Sequence, residues 1–183
     1  MNEQQLVVEC KKKNNDARRC LYELYAQKMF GLCLRYISDS DAAQDVLQDG
    51  FLKIFERIAG FSGQGSLEGW MKRIFVNTAL DFLRKHKLNV SFEEMEWKEE
   101  AESNASDLHL DESSGLSIEK LMEMIRKLPS GYATVFNLVA VEEFSQKEVA
   151  EMLNISEGGV RSQYARARKL LMKMVIDYQN QIK

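Results

Sequence analysis

Between residues 89 and 117 the chain carries one lysine, Lys98, against nine acidic residues, amid clustered Ser and Asn and no sustained apolar period. A stretch of that composition cannot bury enough apolar surface to fold alone, so it reads as a flexible acidic linker. Whatever folds must therefore lie on either side of it, in residues 1–88 and 118–183. Both flanks lean basic, with 14 Lys and Arg against 11 Asp and Glu in the first and 10 against 8 in the second, although the whole chain totals −3. A single proline, ten glycines and few alternating runs of Val, Ile or Thr predict an all-α fold of two small helical modules. With 45% hydrophobic residues among 183, each module has material for a core, and a large multidomain enzyme is excluded.

The longest apolar runs, such as Leu138-Val139-Ala140-Val141, fall far short of the roughly 20 residues that cross a bilayer. The opening MNEQQLVVECKKKNN lacks a small-residue cleavage site and is unlike a secretory signal. The expectation is a cytoplasmic protein with no membrane insertion. Cys10, Cys20 and Cys33 are odd in number with no CxxC pair, and His86 and His109 are the only histidines. This spacing favours neither a disulfide framework nor a zinc site. Cys20 and Cys33 are expected as core filling, and no metal or cofactor is expected.

In the second module Ile118, Leu121, Met122, Ile125 and Leu128 follow a helical period up to Pro129, and Tyr132, Val135, Phe136 and Val139 repeat it. Ser145 followed by Glu148 is a capping box opening a third helix, with Val149, Met152 and Leu153 inward and Ala150 small enough for a close crossing. Asn154 suits a left-handed turn, Ile155 plugs it and Ser156 caps a fourth helix. This is the layout of a helix-turn-helix, whose second helix enters the major groove. From Gly158 to Lys173 that helix has five cations and no acid. Val160, Tyr164, Ala167, Leu170, Leu171 and Met174 supply a buried side. Arg161, Ser162, Ala165 and Arg166 project opposite. Arginine can take a guanine edge in bidentate fashion and a small side chain can sit against a thymine methyl. Arg168 and Lys169 lie further along, where phosphate is the expected partner. The bland alternative is a solvated basic face on a helical bundle. Gly158 and Gly159 weaken the helix start and admit close backbone approach.

In the first module a long helix is expected from Asp16 as cap to about Ser38, with Leu21, Leu24, Tyr25, Leu32, Cys33, Tyr36 and Ile37 as its buried stripe. Ser40 or Asp41 caps another, in which Val46, Leu47, Phe51, Ile54, Phe55 and Ile58 face one way and Asp45, Gln48, Asp49 and Lys53 the other. Such a polar face is ordinarily just solvated. After the Gly- and Ser-rich loop GFSGQGS comes an amphipathic helix combining Trp70, Phe75 and Phe82 with Lys72, Arg73, Arg84, Lys85 and Lys87. Aromatic rings interleaved with cations suit single-stranded nucleic acid, which needs stacking surfaces and counter-charge. Core packing is the competing reading for Trp70, Ile74 and Phe75.

Taken in order, DVLQDGFLKIF, WMKRIFVNTALDFLRKHK and LPSGYATVFNLVAVEEFSQKEVAEMLNISEGGVRSQYARARKLL resemble an extracytoplasmic-function (ECF) sigma factor of bacterial RNA polymerase, over about residues 5 to 175. The resemblance implies region 2 in residues 1–88 and region 4 in residues 118–183. It implies that Asp45, Gln48, Asp49 and Lys53 dock on the clamp coiled coil of the polymerase beta-prime subunit, with the beta subunit a further partner within the core enzyme. It also implies that the loop from Phe61 to Leu67, with Trp70, Arg73, Asn77 and Arg84, opens the promoter −10 element and holds an extruded base. Asp81 would orient a basic neighbour. Arg161, Ser162, Ala165 and Arg166 would read the −35 element. Gly50 departs from the family, which tends to have a better helix former there, and Ala165 is small where a larger side chain is frequent. An anti-sigma protein is a further partner implied by the family.

Capturing a flipped base offsets an unstacking cost of a few kcal/mol, so melting is coupled to sequence reading. Promoter elements about 85 Å apart, at some 34 Å per helical turn, are within the roughly 95 Å reach of the stretched linker. Its relaxed span is only about 30 Å. Polymerase is therefore expected to hold the modules apart, and the free protein to bind promoter DNA poorly. A stand-alone helix-turn-helix regulator would instead bind duplex DNA by itself and dimerise on paired half-sites. Enzymatic readings lack ingredients: the sequence has no Gly-rich phosphate loop, no GxSxG and no metal-ligand spacing.

Overall fold

The computed structural model describes residues 2–86 and 116–181. The chain divides into two units between Leu88 and Asn89, and every element of both, among the described residues, is helical. The acidic stretch expected as a linker lies outside the described residues up to position 115.

The first unit begins with a helix that sequence reasoning did not anticipate. In α1 (Glu3–Lys11), Asn2 and Gln5 form a reciprocal capping box, and Leu6, Val7 and Cys10 are buried. Lys13, in left-handed backbone at φ 63°, turns the chain into α2 (Asn15–Tyr36). The cap of α2 is Asn14, whose side-chain oxygen accepts from the amides of Asp16 and Ala17. Asp16, expected as the cap, is already helical and instead accepts from Arg19 at 3.0 Å. Leu21, Leu32, Cys33 and Ile37 are buried as expected, and Tyr25 and Tyr36 are half-buried. Leu24 is 64% exposed, whereas Met29 is fully buried in its place. A helix of 22 residues drifts against any fixed count of three and four, so the stripe moves sideways along it.

Helix α3 (Ser40–Arg57) is capped one residue earlier than expected, by Asp39, which accepts from the Ala42 amide at 2.8 Å. Val46, Leu47, Phe51, Ile54 and Ile58 form its buried side. Phe55 is half-buried, with the Arg18 guanidinium 5.3 Å from its ring centre. A 3-10 turn (Ile58–Gly60) and an exposed loop lead to α4 (Leu67–Lys85), capped by Ser66 through the Gly69 amide. Phe75 is fully buried and meets Phe51 edge-on at 5.3 Å. A Cβ built on Gly50 would fall well inside contact distance of three atoms of that ring. Gly50 thus sits in mid-helix because α3 and α4 approach each other too closely there for any side chain.

The second unit holds α5 (Ile118–Arg126), α6 (Ser130–Phe136), a π turn (Asn137–Val141), α7 (Gln146–Leu153) and α8 (Glu157–Gln181). Its core gathers Met124, Ile125, Leu128, Phe136, Ala167, Leu171 and Val175, with Leu121, Met122, Tyr132, Tyr164, Leu170 and Met174 packed partly buried around them. Ile118, expected inside, is 77% exposed in the first turn of α5, and Met124 is buried instead. The π turn closes with the Glu142 amide on the Asn137 carbonyl at 2.9 Å. Leu138 is fully buried, and Val139, expected inside, only half. The three cysteines form no disulfide; Cys10 and Cys33 are buried and Cys20 is half-buried. Burial pushes the Cys33 thiol up to about 12, leaving it inert at neutral pH.

Candidate nucleic-acid interface

The helix-turn-helix forms as its caps dictate. Ser145 Oγ accepts from the Glu148 amide at 3.3 Å, and the Glu148 carboxylate accepts from the Ser145 amide at 3.0 Å. Asn154 ends α7 in left-handed backbone, φ 56° and ψ 46°. Ser156 Oγ accepts from the Gly159 amide at 3.0 Å. A Cβ on Gly159 would come within 3.3 Å of that hydroxyl, so this glycine makes room for the cap. Val149, Leu153 and Val160 are buried and fix α7 against α8. With that side packed, Arg161, Ser162, Ala165 and Lys169 are exposed, while Arg166 and Arg168 are half-buried. The Arg168 guanidinium lies 5.9 Å from the centre of the Tyr164 ring, which steadies it on the flank of the helix. Sequence reasoning passed over Gln163. It is 8% exposed, and its Oε1 has no hydrogen-bond partner among the described residues. Its place between Val160 and Ala167 on the buried side was the available signal.

On α4, Trp70, Arg73, Asn77 and Arg84 follow steps of three, four and seven residues, which align them along one face. Arg73, Asn77 and Arg84 are exposed and Trp70 half-buried. Ile74 and Phe75 belong to the core, as the packing reading expected. Phe82, seven positions after Phe75 and on its side of the helix, stacks on His86 at 4.0 Å, away from the Trp70 stripe. Asp81 accepts from Arg84 at 3.1 Å and lies 3.8 Å from Lys53. Half-exposed pairs of this kind add little stability, so their effect is on where Arg84 points. Phe61 is 7% exposed and its ring lies 5.3 Å from Trp70, forming the floor beneath that indole. The loop beyond it turns through Gly63 at φ 77° and Gly65 at φ 85°.

On α3, Asp45, Gln48 and Asp49 are all exposed. Lys53 leaves them: its ammonium donates to Thr78 Oγ1 on α4 at 3.1 Å. In its stead the face contains Leu52, 60% exposed among acidic and amide neighbours. Position 52 lies between 48, 49 and 56 on a helical wheel, and an apolar residue on that polar face was the signal available in the sequence.

Residues 21–88 match the model for sigma-70 region 2, and residues 118–171 that for sigma-70 region 4. The chain is 30% identical over 179 residues to an ECF RNA polymerase sigma-E factor of Haemophilus influenzae, covering 93% of this chain and 94% of that one. The chain belongs to the ECF sigma-factor family. A similar relative is the ECF RNA polymerase sigma factor SigW of Bacillus subtilis, 29% identical over 178 residues, or 93% of this chain and 95% of the relative. Two solved structures share the fold of this sigma factor, each with a TM-score of 0.56. CnrH, solved with the cytosolic domain of CnrY, is 19% identical and the match covers 96% of this chain and 97% of that one. The sigma factor RpoE of Bartonella quintana, solved with the anti-sigma factor NepR, is 18% identical with 87% and 96% covered. In this sigma factor α1 precedes the region 2 match, and α8 continues ten residues beyond the region 4 match.

Among the described residues no helix is long and apolar enough to cross a membrane.

Proposed function

We propose that this sigma factor works as a non-catalytic specificity subunit in the cytoplasm, with α3 docking on the clamp coiled coil of the core polymerase beta-prime subunit through Asp45, Gln48 and Asp49. Lys53 acts from the side, as a tie to α4. Arg73, Asn77 and Arg84, with Trp70 over Phe61, take the non-template strand of the −10 element as it leaves the duplex. Arg161, Ser162, Ala165 and Arg166 read the −35 duplex in the major groove, and Arg168 and Lys169 meet phosphate. The observation that carries this reading is the stripe on α4, a half-buried indole followed by two exposed arginines and an exposed asparagine on a helix whose other side is packed into its module. Stacking and counter-charge along one line are what an unpaired strand requires. The beta subunit and an anti-sigma protein are proposed as further partners; RpoE of Bartonella quintana was solved with such a partner.

The test is run-off transcription with purified core polymerase and a promoter library. Promoter-specific transcript should appear only when this protein is added. Arg166→Ala should remove the −35 dependence, and Asp49→Ala should weaken binding to core polymerase without changing the fold by circular dichroism. Tight, dimeric binding to duplex DNA without polymerase would overturn the proposal in favour of a stand-alone regulator.

A further inference from the structure

We infer that Lys11 is a positioning residue for promoter opening, and that α1 braces the loop that receives the extruded base. The Lys11 ammonium donates to the main-chain carbonyl of Phe61 at 2.7 Å, across fifty positions of sequence. Phe61 is thereby held from three directions. Its amide donates to the Ile58 carbonyl at 3.1 Å, its carbonyl accepts from Lys11, and its ring lies against Trp70. Immediately beyond, Ser62 to Ser66 are exposed, and a Cβ at Gly63 or Gly65 would meet nothing within 4 Å among the described residues. Such a segment has few contacts of its own, so its path is set by its two ends. Ser66 fixes one end by capping α4, and the pinned Phe61 fixes the other.

The tie has a firm base. Leu6, Val7 and Cys10 are buried, so α1 cannot slide without exposing apolar surface, and the Tyr25 hydroxyl donates to Glu3 at 3.3 Å at the far end of the helix. A hydrogen bond from a cation to a carbonyl is stronger than a neutral one. Recognition of a single base tolerates little misplacement of its pocket. Helix α1 lies outside the residues that match region 2, so this contact adds a part to the site that the region's own residues do not contain.

The inference rests on Phe61 and Trp70 forming the base-receiving site, and the experiment separates the two. Holoenzyme made with core polymerase is presented with a single-stranded non-template oligonucleotide library randomised over the −10 positions, using the wild-type protein, Lys11→Met, Lys11→Arg and Trp70→Ala. Lys11→Met should reduce the preference for the selected base by about 5-fold or more, Lys11→Arg should restore most of it, and affinity for core polymerase should stay constant. Preference unchanged in Lys11→Met but lost in Trp70→Ala overturns the bracing role alone. Preference unchanged in both overturns the base-receiving site and the inference with it. If Lys11→Met instead weakens all sequences equally and flattens the salt dependence by about 0.7 in log–log slope, Lys11 contacts phosphate directly and the bracing role fails.

Discussion

Glu143 sits at φ 61°, just after the π turn, in backbone that suits glycine. A side chain with a Cβ costs roughly 1–2 kcal/mol in that conformation, and this residue is exposed. Glu143→Gly should therefore raise the stability of the region 4 unit by about 1 kcal/mol, read as a shift in its thermal midpoint. Gly50 behaves in the opposite sense. Alanine is the better helix former by about 1 kcal/mol, yet the added methyl would have to displace the fully buried Phe75 ring. Overpacking of this kind costs roughly 1–3 kcal/mol, so Gly50→Ala should lower the urea midpoint of the region 2 unit. A gain in stability would show that Phe75 has room to rotate. The two positions look alike in one dimension, since each departs from local preference. What separates them is whether the neighbouring atoms belong to solvent or to a packed ring.

In α5, Glu123 accepts from Lys127 at 2.6 Å and from Lys120 at 2.9 Å, and these two ammonium groups hold its carboxyl down to about 2. Because the folded value is depressed, any stability from this triad is present above the ordinary carboxylate value of about 4.5 and is lost as pH falls toward 2. Glu123→Gln should flatten that part of the acid limb in low salt, and the difference should shrink in high salt, since the group is on the surface. Elements with strong local signals were legible in the sequence. The Ser145–Glu148 box, the Asn154 turn and the Ser156 cap all form as read, because each depends on atoms within three or four residues. What could not be read depends on partners far along the chain. Lys53 looked like one more charge on the α3 face, and only the crossing of α4 shows its ammonium drawn to Thr78. Phe61 belonged to a loop by sequence, yet the Trp70 ring and α1 place it inside. The π turn after α6 had no sequence signal, and it is Leu138 rather than Val139 that is fully buried there.

For the whole molecule, the separate tasks proposed for the two modules imply that neither suffices. Without core polymerase the chain should bind promoter DNA only in the non-specific range, with a Kd of about 1 to 100 µM at physiological salt, and gain sequence preference when core is added. A gel-shift titration with and without polymerase checks this; nanomolar binding by the isolated chain would contradict it. Within region 2, the acidic and amide side chains of α3 and the aromatic and basic side chains of α4 stand on helices that touch where Gly50 faces Phe75. There is no slack at that point, so under the proposed roles the angle at which α3 would offer itself to the polymerase is geared to the angle at which α4 would meet the strand. Drift in promoter preference among proteins built this way should accumulate along the outer stripe and the glycine loop, while the pivot beneath stays frozen.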